Sequence, residues 1–418
     1  MKNNKIHYGW LIVLACSTIM FSSYGIINNC ASLFFKVVSE SIEVSRTEFS
    51  MYYTISGIAL VCIVPFVGSI FKRFGTRPTM IFATILSSGA FVGFSMVENI
   101  KVFYILGAMQ GLGLGMLTII PVSIITNNWF HKKKGLALGL VMTGAGLGGL
   151  IFNPVTNFII QNYGWRNAYL ILGIVSAVIT LPIIFLIYRS PDEKGMKSYG
   201  IEDEHVYKKV DSSGLKIGEA VRTPSFWLLC IGMFAFCIGS IGIQMHIPSY
   251  LTDISFSTNM ATSIVTIYLA AAVPFRVLMG VVFDRVGCAR GVIIGGIVMI
   301  SCQVILLNIT SYPVAILFAV IYGYGICMGT VATPILVANI FGNEEYGKII
   351  GLVNVFPALG AAIGPLISST IFDNFGSYTY AWVGYIGLTI IMIITVLISI
   401  YLINKKTSQT VTPKTVKA

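Results

Sequence analysis

Arg276 is a fixed positive charge set deep in an apolar run, about eight residues, or roughly 12 Å of helix rise, from the run's charged end. All 16 Asp and Glu residues fall in loops, tails or the ends of such runs, so no acid stands at its depth to neutralise it. Placing a guanidinium near the centre of a membrane helix costs about 2.5–3.5 kcal/mol on insertion scales, so such a group usually faces a cavity and works there. Its chemistry would be anion binding, because the planar fork offers two parallel N–H donors matched to a carboxylate. The alternative is an arginine that snorkels toward lipid headgroups.

The other polar side chains inside apolar runs are fewer and weaker. His246, in Gln244-Met-His-Ile-Pro248, is the one histidine of four in such a run; His7, His131 and His205 lie elsewhere. It reads as a hydrogen-bond donor to substrate, as a proton site, or as a packed and satisfied histidine. Asn28, Asn29 and Asn354 read equally as substrate contacts or as glue between helices. Two dense glycine runs, Gly111-x-Gly113-x-Gly115 and Gly144-x-Gly146-x-Gly148-Gly149, are followed by Pro154. Lying inside apolar runs without a βαβ context, they read as close packing and gating rather than nucleotide binding. No nucleophile–base pair or metal-ligand spacing appears, so the sequence points away from an enzyme and implies no cofactor.

These residues need elements that can cross a membrane. The 418-residue chain is 56% hydrophobic and only 10% charged, where soluble domains run nearer a quarter charged, so its surface faces lipid. Apolar runs long enough to cross a hydrocarbon core recur at 9–36, 47–71, 78–97, 101–126, 135–160 and 166–188. Six more follow at 225–251, 260–283, 289–308, 312–339, 347–371 and 379–404. The fold class is therefore all-α membrane protein, twelve transmembrane helices in two six-helix halves. The expected division is 1–189, a cytoplasmic linker 190–222, and 223–418 with a short basic tail. With the N-terminus cytoplasmic, 22 of the 27 Lys and Arg fall on the cytoplasmic side, leaving Lys36, Arg46, Lys101 and Arg166 outside and Arg276 within a span. That asymmetry places both termini in the cytoplasm. It also explains the net charge of +11 as topology, with no call for a nucleic-acid partner.

The halves repeat. Gly68-Ser-Ile-Phe-Lys72-Arg73-Phe-Gly75-Thr-Arg77 follows the second span, and Gly280-Val-Val-Phe-Asp284-Arg285-Val-Gly287-Cys-Ala-Arg290 follows the eighth. The spacing recurs 212 residues apart. The first glycine permits close helix approach and the second a tight turn, so Gly68, Arg73, Gly75, Gly280, Asp284, Arg285 and Gly287 are the candidate gating residues.

At these loops the chain resembles the major facilitator superfamily of transporters. The family pattern has Asp at the fifth loop position; Asp284 keeps it and Lys72 departs from it. Tyr8-Gly-Trp10, Trp129-Phe-His-Lys-Lys-Lys-Gly135, Gly164-Trp165-Arg166, Arg222-Thr-Pro-Ser-Phe-Trp227 and Arg276 together resemble the monocarboxylate transporters and the bacterial oxalate–formate exchanger group. The resemblance implies that Arg276 holds a substrate carboxylate. It also marks departures: Ala272 stands where animal monocarboxylate transporters have Asp, Asn29 where they have Lys, and Pro357 near a second cation of the oxalate exchanger. One positive charge suits a monoanion better than a dianion, and the missing acid weakens the case for proton symport.

The expected function is secondary active transport of a small organic monocarboxylate anion by alternating access, in the cytoplasmic (inner) membrane. The partners are that anion, the lipid bilayer and, in a coupled cycle, a proton; the family expectation is a monomer. The alternatives are a proton-coupled drug or metabolite exporter, and a non-transporting membrane sensor.

Overall fold

The computed structural model describes residues 7–130, 133–187, 191–200, 214–342 and 344–410. His131, His205, part of the Trp129–Gly135 motif and much of the linker and tail lie outside the described residues.

Among the described residues, twelve helices cross the molecule. In the first half they are α1 (Tyr8–Ser41), α2 (Arg46–Phe74), α3 (Thr76–Phe94) and α4 (Ile100–Trp129). Lys134–Ile184 is one helical run bent at Gly164, and its arms, 134–163 and 165–184, are α5 and α6. The second half holds α7 (Pro224–Asp253), α8 (Thr258–Val286), α9 (Cys288–Leu307), α10 (Tyr312–Phe341), α11 (Tyr346–Phe375) and α12 (Thr379–Thr410). Length and hydropathy alone pick out 10 of these segments. The bent run counts there as one, and α3 is missed, its short span carrying Arg77 and Pro78 as well as Thr79, Thr84, Ser87 and Ser88.

Local chemistry sets where the helices start. Ser45 and Glu48 form a capping box at α2, Asn99 caps α4, Thr223 caps α7 with Pro224 at its first position, and Ser257 caps α8. Caps matter at span ends because the first helical amides have no intrahelical acceptor. Gly75 and Gly287 make the turns into α3 and α9 at φ 84°, ψ 154° and φ 82°, ψ 166°, a region essentially reserved for glycine. Gly164 and Gly376, also 212 residues apart, both take positive φ between the last two helices of each half. The repeat read from the loops is thus a repeat of backbone geometry.

Packing repeats as well. α1 lies on α5 as α7 lies on α11; α2 lies on α4 as α8 lies on α10; α3 lies on α6 as α9 lies on α12. The halves meet chiefly along two seams, α2 against α11 and α5 against α8, and the end of α1 also packs on α7. Several spans are broken: α1 widens to a π-helix over Met20–Asn28, α4 breaks at Thr118, α10 widens over Met328–Ala332, and α11 breaks at Asn354. Pro121 and Pro334 follow the breaks in α4 and α10, where a missing N–H interrupts the ladder.

Candidate functional site: an unpaired guanidinium below a latched seam

The two seams are closed at one level and open at another. Every hydrogen bond and ion pair identified between the halves among the described residues lies on the side away from the termini. On α2–α11, Thr54 Oγ1 donates to the Ala362 carbonyl at 2.8 Å, and a Cβ at Gly57 would stand 2.6 Å from the Ala362 methyl. On α5–α8, Asn157 Nδ2 donates to Asn259 Oδ1 at 2.8 Å. Farther along that seam, Val273 lies 3.6 Å from the Cβ position of Gly146. Toward the termini, Gly68, Gly139, Gly280, Gly347 and Gly351, spread over all four seam helices, have nothing within 4 Å of a Cβ position. The glycines expected to permit close helix approach, Gly68 and Gly280, are among those with open space beside them.

Arg276 lies one turn past Val273, on the termini side of that contact. Pro274, two residues earlier, loosens the helix around it. The side chain is half-buried and its Nε is buried without a hydrogen-bond partner. No carboxylate pairs with it among the described residues. Its charge acts on Tyr24 of α1 in the first half and on Cys327 of α10 in the second, and the guanidinium also hydrogen-bonds the Cys327 thiol. Tyr24 lies within electrostatic reach of Tyr53, and the Tyr53 hydroxyl donates to Asn28 Oδ1 at 3.2 Å. Asn28 is one turn from Tyr24 along the π-helical part of α1, and Tyr24, Asn28 and Tyr53 are all half-buried. Ala272 is buried and offers no charge.

The other predicted residues divide among different places. Asn29 donates from Nδ2 to the Ala145 carbonyl at 2.8 Å and is 7% exposed, which makes it a tie between α1 and α5. Asn354 is exposed at the break in α11, and Pro357 is buried one turn on. Arg73, Asp284 and Arg285 are exposed on the termini side. Arg77, at the end of the first loop, donates from Nε and Nη2 to the Ile187 and Phe185 carbonyls, both at 2.8 Å, pinning that loop to the end of α6. In the second half, the Glu345 carboxyl accepts the Ile217 N–H at 2.7 Å, tying the linker to α11. Lys348 and that N–H hold its pKa below the usual carboxylate range.

His246 is not beside Arg276. It is fully buried near the far end, with Nδ1 3.0 Å from the Tyr378 hydroxyl and Nε2 3.0 Å from both the Pro365 carbonyl and Ser369 Oγ. Both nitrogens are occupied, which corrects the reading of a free donor waiting for substrate. Ser369 in turn bonds Ser50 of α2 across the seam.

Above the histidine lies a latch that sequence reasoning missed. Asp253, at the end of α7, accepts Lys36 Nζ at 2.6 Å and Arg46 through both guanidinium nitrogens at 2.6 and 3.1 Å. Arg46 Nη1 also donates to the Tyr378 hydroxyl at 2.7 Å, and its guanidinium lies 3.9 Å from the Phe372 ring centre. The Thr47 and Arg46 amides, orphans at the start of α2, donate to Asp373 at 2.7 and 3.3 Å. Each bond joins one half to the other. The charges were visible in the sequence, but nothing in their spacing pairs residue 46 with 253 and 373.

A profile of the Major Facilitator Superfamily matches residues 13–263 and 250–418. The chain is 22% identical to monocarboxylate transporter 12 of Xenopus laevis over 393 residues, covering 90% of this chain and 85% of that one. It is 27% identical to the oxalate:formate antiporter of Oxalobacter formigenes over 261 residues, 61% of this chain and 59% of that one. Among solved structures, a D-xylose-proton symporter superposes with a TM-score of 0.70 at 17% identity, covering 94% and 97% of the two chains. A bacterial homologue of the lysosomal transporter Spinster, in an inward-facing and unoccupied conformation, gives 0.68 at 14% identity and 95% coverage of each. These relatives are transporters, not enzymes. With repeated halves, twelve helices and a profile match over nearly its whole length, the chain belongs to the Major Facilitator Superfamily and is a multi-pass membrane protein built as a secondary transporter.

Proposed function

We propose that the protein carries a small organic monocarboxylate anion across the cytoplasmic membrane by alternating access, with Arg276 holding the carboxylate. The observation that carries this reading is the guanidinium itself, half-buried and acting on residues of both halves, with a buried Nε that has no partner and no acid beside it. A half-buried cation with no acid partner favours an anion that can accept two parallel hydrogen bonds. The names of the relatives, monocarboxylate transporters and an oxalate:formate antiporter, support the same class of cargo.

The basic loops favour cytoplasmic termini, so the parted side faces the cytoplasm and the latched side faces outward. The halves, 1–189 and 223–418, rock about the level of Arg276, and the open glycines of α2, α5, α8 and α11 become contact points when the cytoplasmic side closes. A single cation without a partner acid suits exchange or uniport of a monoanion better than proton symport. Asn28 and Tyr53 belong to the wall the substrate meets; Asn29 and His246 hold helices in place. The protein works as a monomer.

The test is uptake of labelled monocarboxylates into proteoliposomes. Arg276→Gln is expected to abolish uptake while leaving the protein folded; undiminished uptake would remove Arg276 from the binding site.

A further inference from the structure

The bonds around His246 have only one consistent direction. An arginine only donates and a backbone carbonyl only accepts. Arg46 Nη1 therefore donates to the Tyr378 oxygen, and His246 Nε2 carries the proton that points at the Pro365 carbonyl. Neutral imidazole then has Nδ1 as an acceptor, which receives the Tyr378 hydroxyl proton. Ser369 donates to the same Pro365 carbonyl at 3.0 Å, leaving its oxygen to accept from Nε2 and from Ser50. The chain runs from Arg46 through Tyr378 and His246 to Pro365 without a gap. A second proton on the imidazole breaks it. Nδ1–H would turn the Tyr378 proton away from its acceptor and share the Tyr378 oxygen with the Arg46 guanidinium, setting two cations on one hydroxyl.

The surroundings sharpen the conflict. The charged groups around the histidine are Arg46 of α2 and Lys36 of α1, with Asp253 of its own helix and Asp373 of α11. Both acids are already engaged by Arg46, Lys36 or the α2 amides. The remaining neighbours are the rings of Phe35 and Tyr378. A cationic His246 would stand one hydroxyl away from Arg46, in a seam shielded from water, with no free carboxylate.

We propose that the latch is a pH-sensitive gate, closed only while His246 is neutral and held open when acid on the latched side protonates the exposed imidazole. The proposal rests on the rocking motion of the proposed function but not on Arg276 or on the identity of the cargo. The sign follows from proton counting: the open state binds one more proton than the closed state, so acid favours opening. Imidazole in water has a pKa of about 6.5, so passing from pH 7.5 to 5.5 raises the open-to-closed ratio about tenfold.

The Arg46 and Thr47 amides report this directly, since their acceptor is Asp373 across the gate. Hydrogen exchange of these two amides, divided by their intrinsic rates at each pH, should lose about tenfold in protection between pH 7.5 and 5.5 in the intact protein. His246→Gln keeps a neutral donor and acceptor and should show no such loss; His246→Asn serves as a second neutral replacement if Gln does not fold. Protection independent of pH in the unmodified chain would overturn the proposal. An equal loss in the neutral variants would also overturn it, by assigning the titration to Asp373 or Asp253.

Discussion

Asn29 and Arg276 are both polar side chains in apolar helices, yet the fold treats them in opposite ways. Asn29 spends its donor on the Ala145 carbonyl, while Arg276 keeps Nε unused. The sequence distinguished Arg276 because no other charge shared its depth. It left Asn28 and Asn29 equivalent, since neighbouring residues on a helix point about 100° apart and only the packing decides which face is inward. Asn29→Ala is expected to cost about 0.5–1.5 kcal/mol through the lost hydrogen bond. It should lower the thermal midpoint while leaving substrate-induced stabilisation intact; loss of that stabilisation at normal thermal stability would instead make Asn29 a ligand contact. His246 was the least legible residue, because its role depends on Tyr378, Pro365 and Ser369, which lie more than a hundred residues away.

Helices were legible in number and much less so in shape. The two loop motifs fixed the turns at Gly75 and Gly287, where positive φ demands glycine. The π-helical widening of α1 and α10 carried no comparable signal, because it arises where a helix adapts to its neighbours. The glycine runs predicted close packing, and a Cβ at Gly111, Gly113 or Gly115 of α4, or at Gly144, Gly148 or Gly149 of α5, would stand under 3 Å from a neighbouring atom. Gly57 belongs to the closed stretch. Gly57→Leu should wedge α2 from α11 and expose the latch, read as faster exchange of the Arg46 and Thr47 amides at neutral pH. Unchanged exchange would mean that the α2–α11 contact does not control the gate.

For the molecule as a whole, the sequence disclosed two halves through a 212-residue repeat that reappears in turns, helix pairings and bends. It could not disclose which end is shut, because the shut end is held by charges far apart in the chain. Asp253 is central there, bridging Lys36 and Arg46. Such part-exposed pairs contribute about 1 kcal/mol each, and salt weakens them. Asp253→Asn should therefore shift the closed-to-open ratio by several-fold, lengthening the distance between spin labels at Glu40 and Ser255 on opposite sides of the latch. An unchanged distance distribution would show that Asp373 and the buried seam suffice.

The central claim, that a lone guanidinium between two rocking halves holds a carboxylate, is tested most directly by thermal stabilisation of the purified protein across a panel of carboxylates. Ligand at about a hundred times its dissociation constant adds about 2.7 kcal/mol of native-state stability. The expected result is that one or more monocarboxylates raise the midpoint of the unmodified chain and none raises that of Arg276→Gln. A monocarboxylate that stabilises both proteins equally would contradict the account.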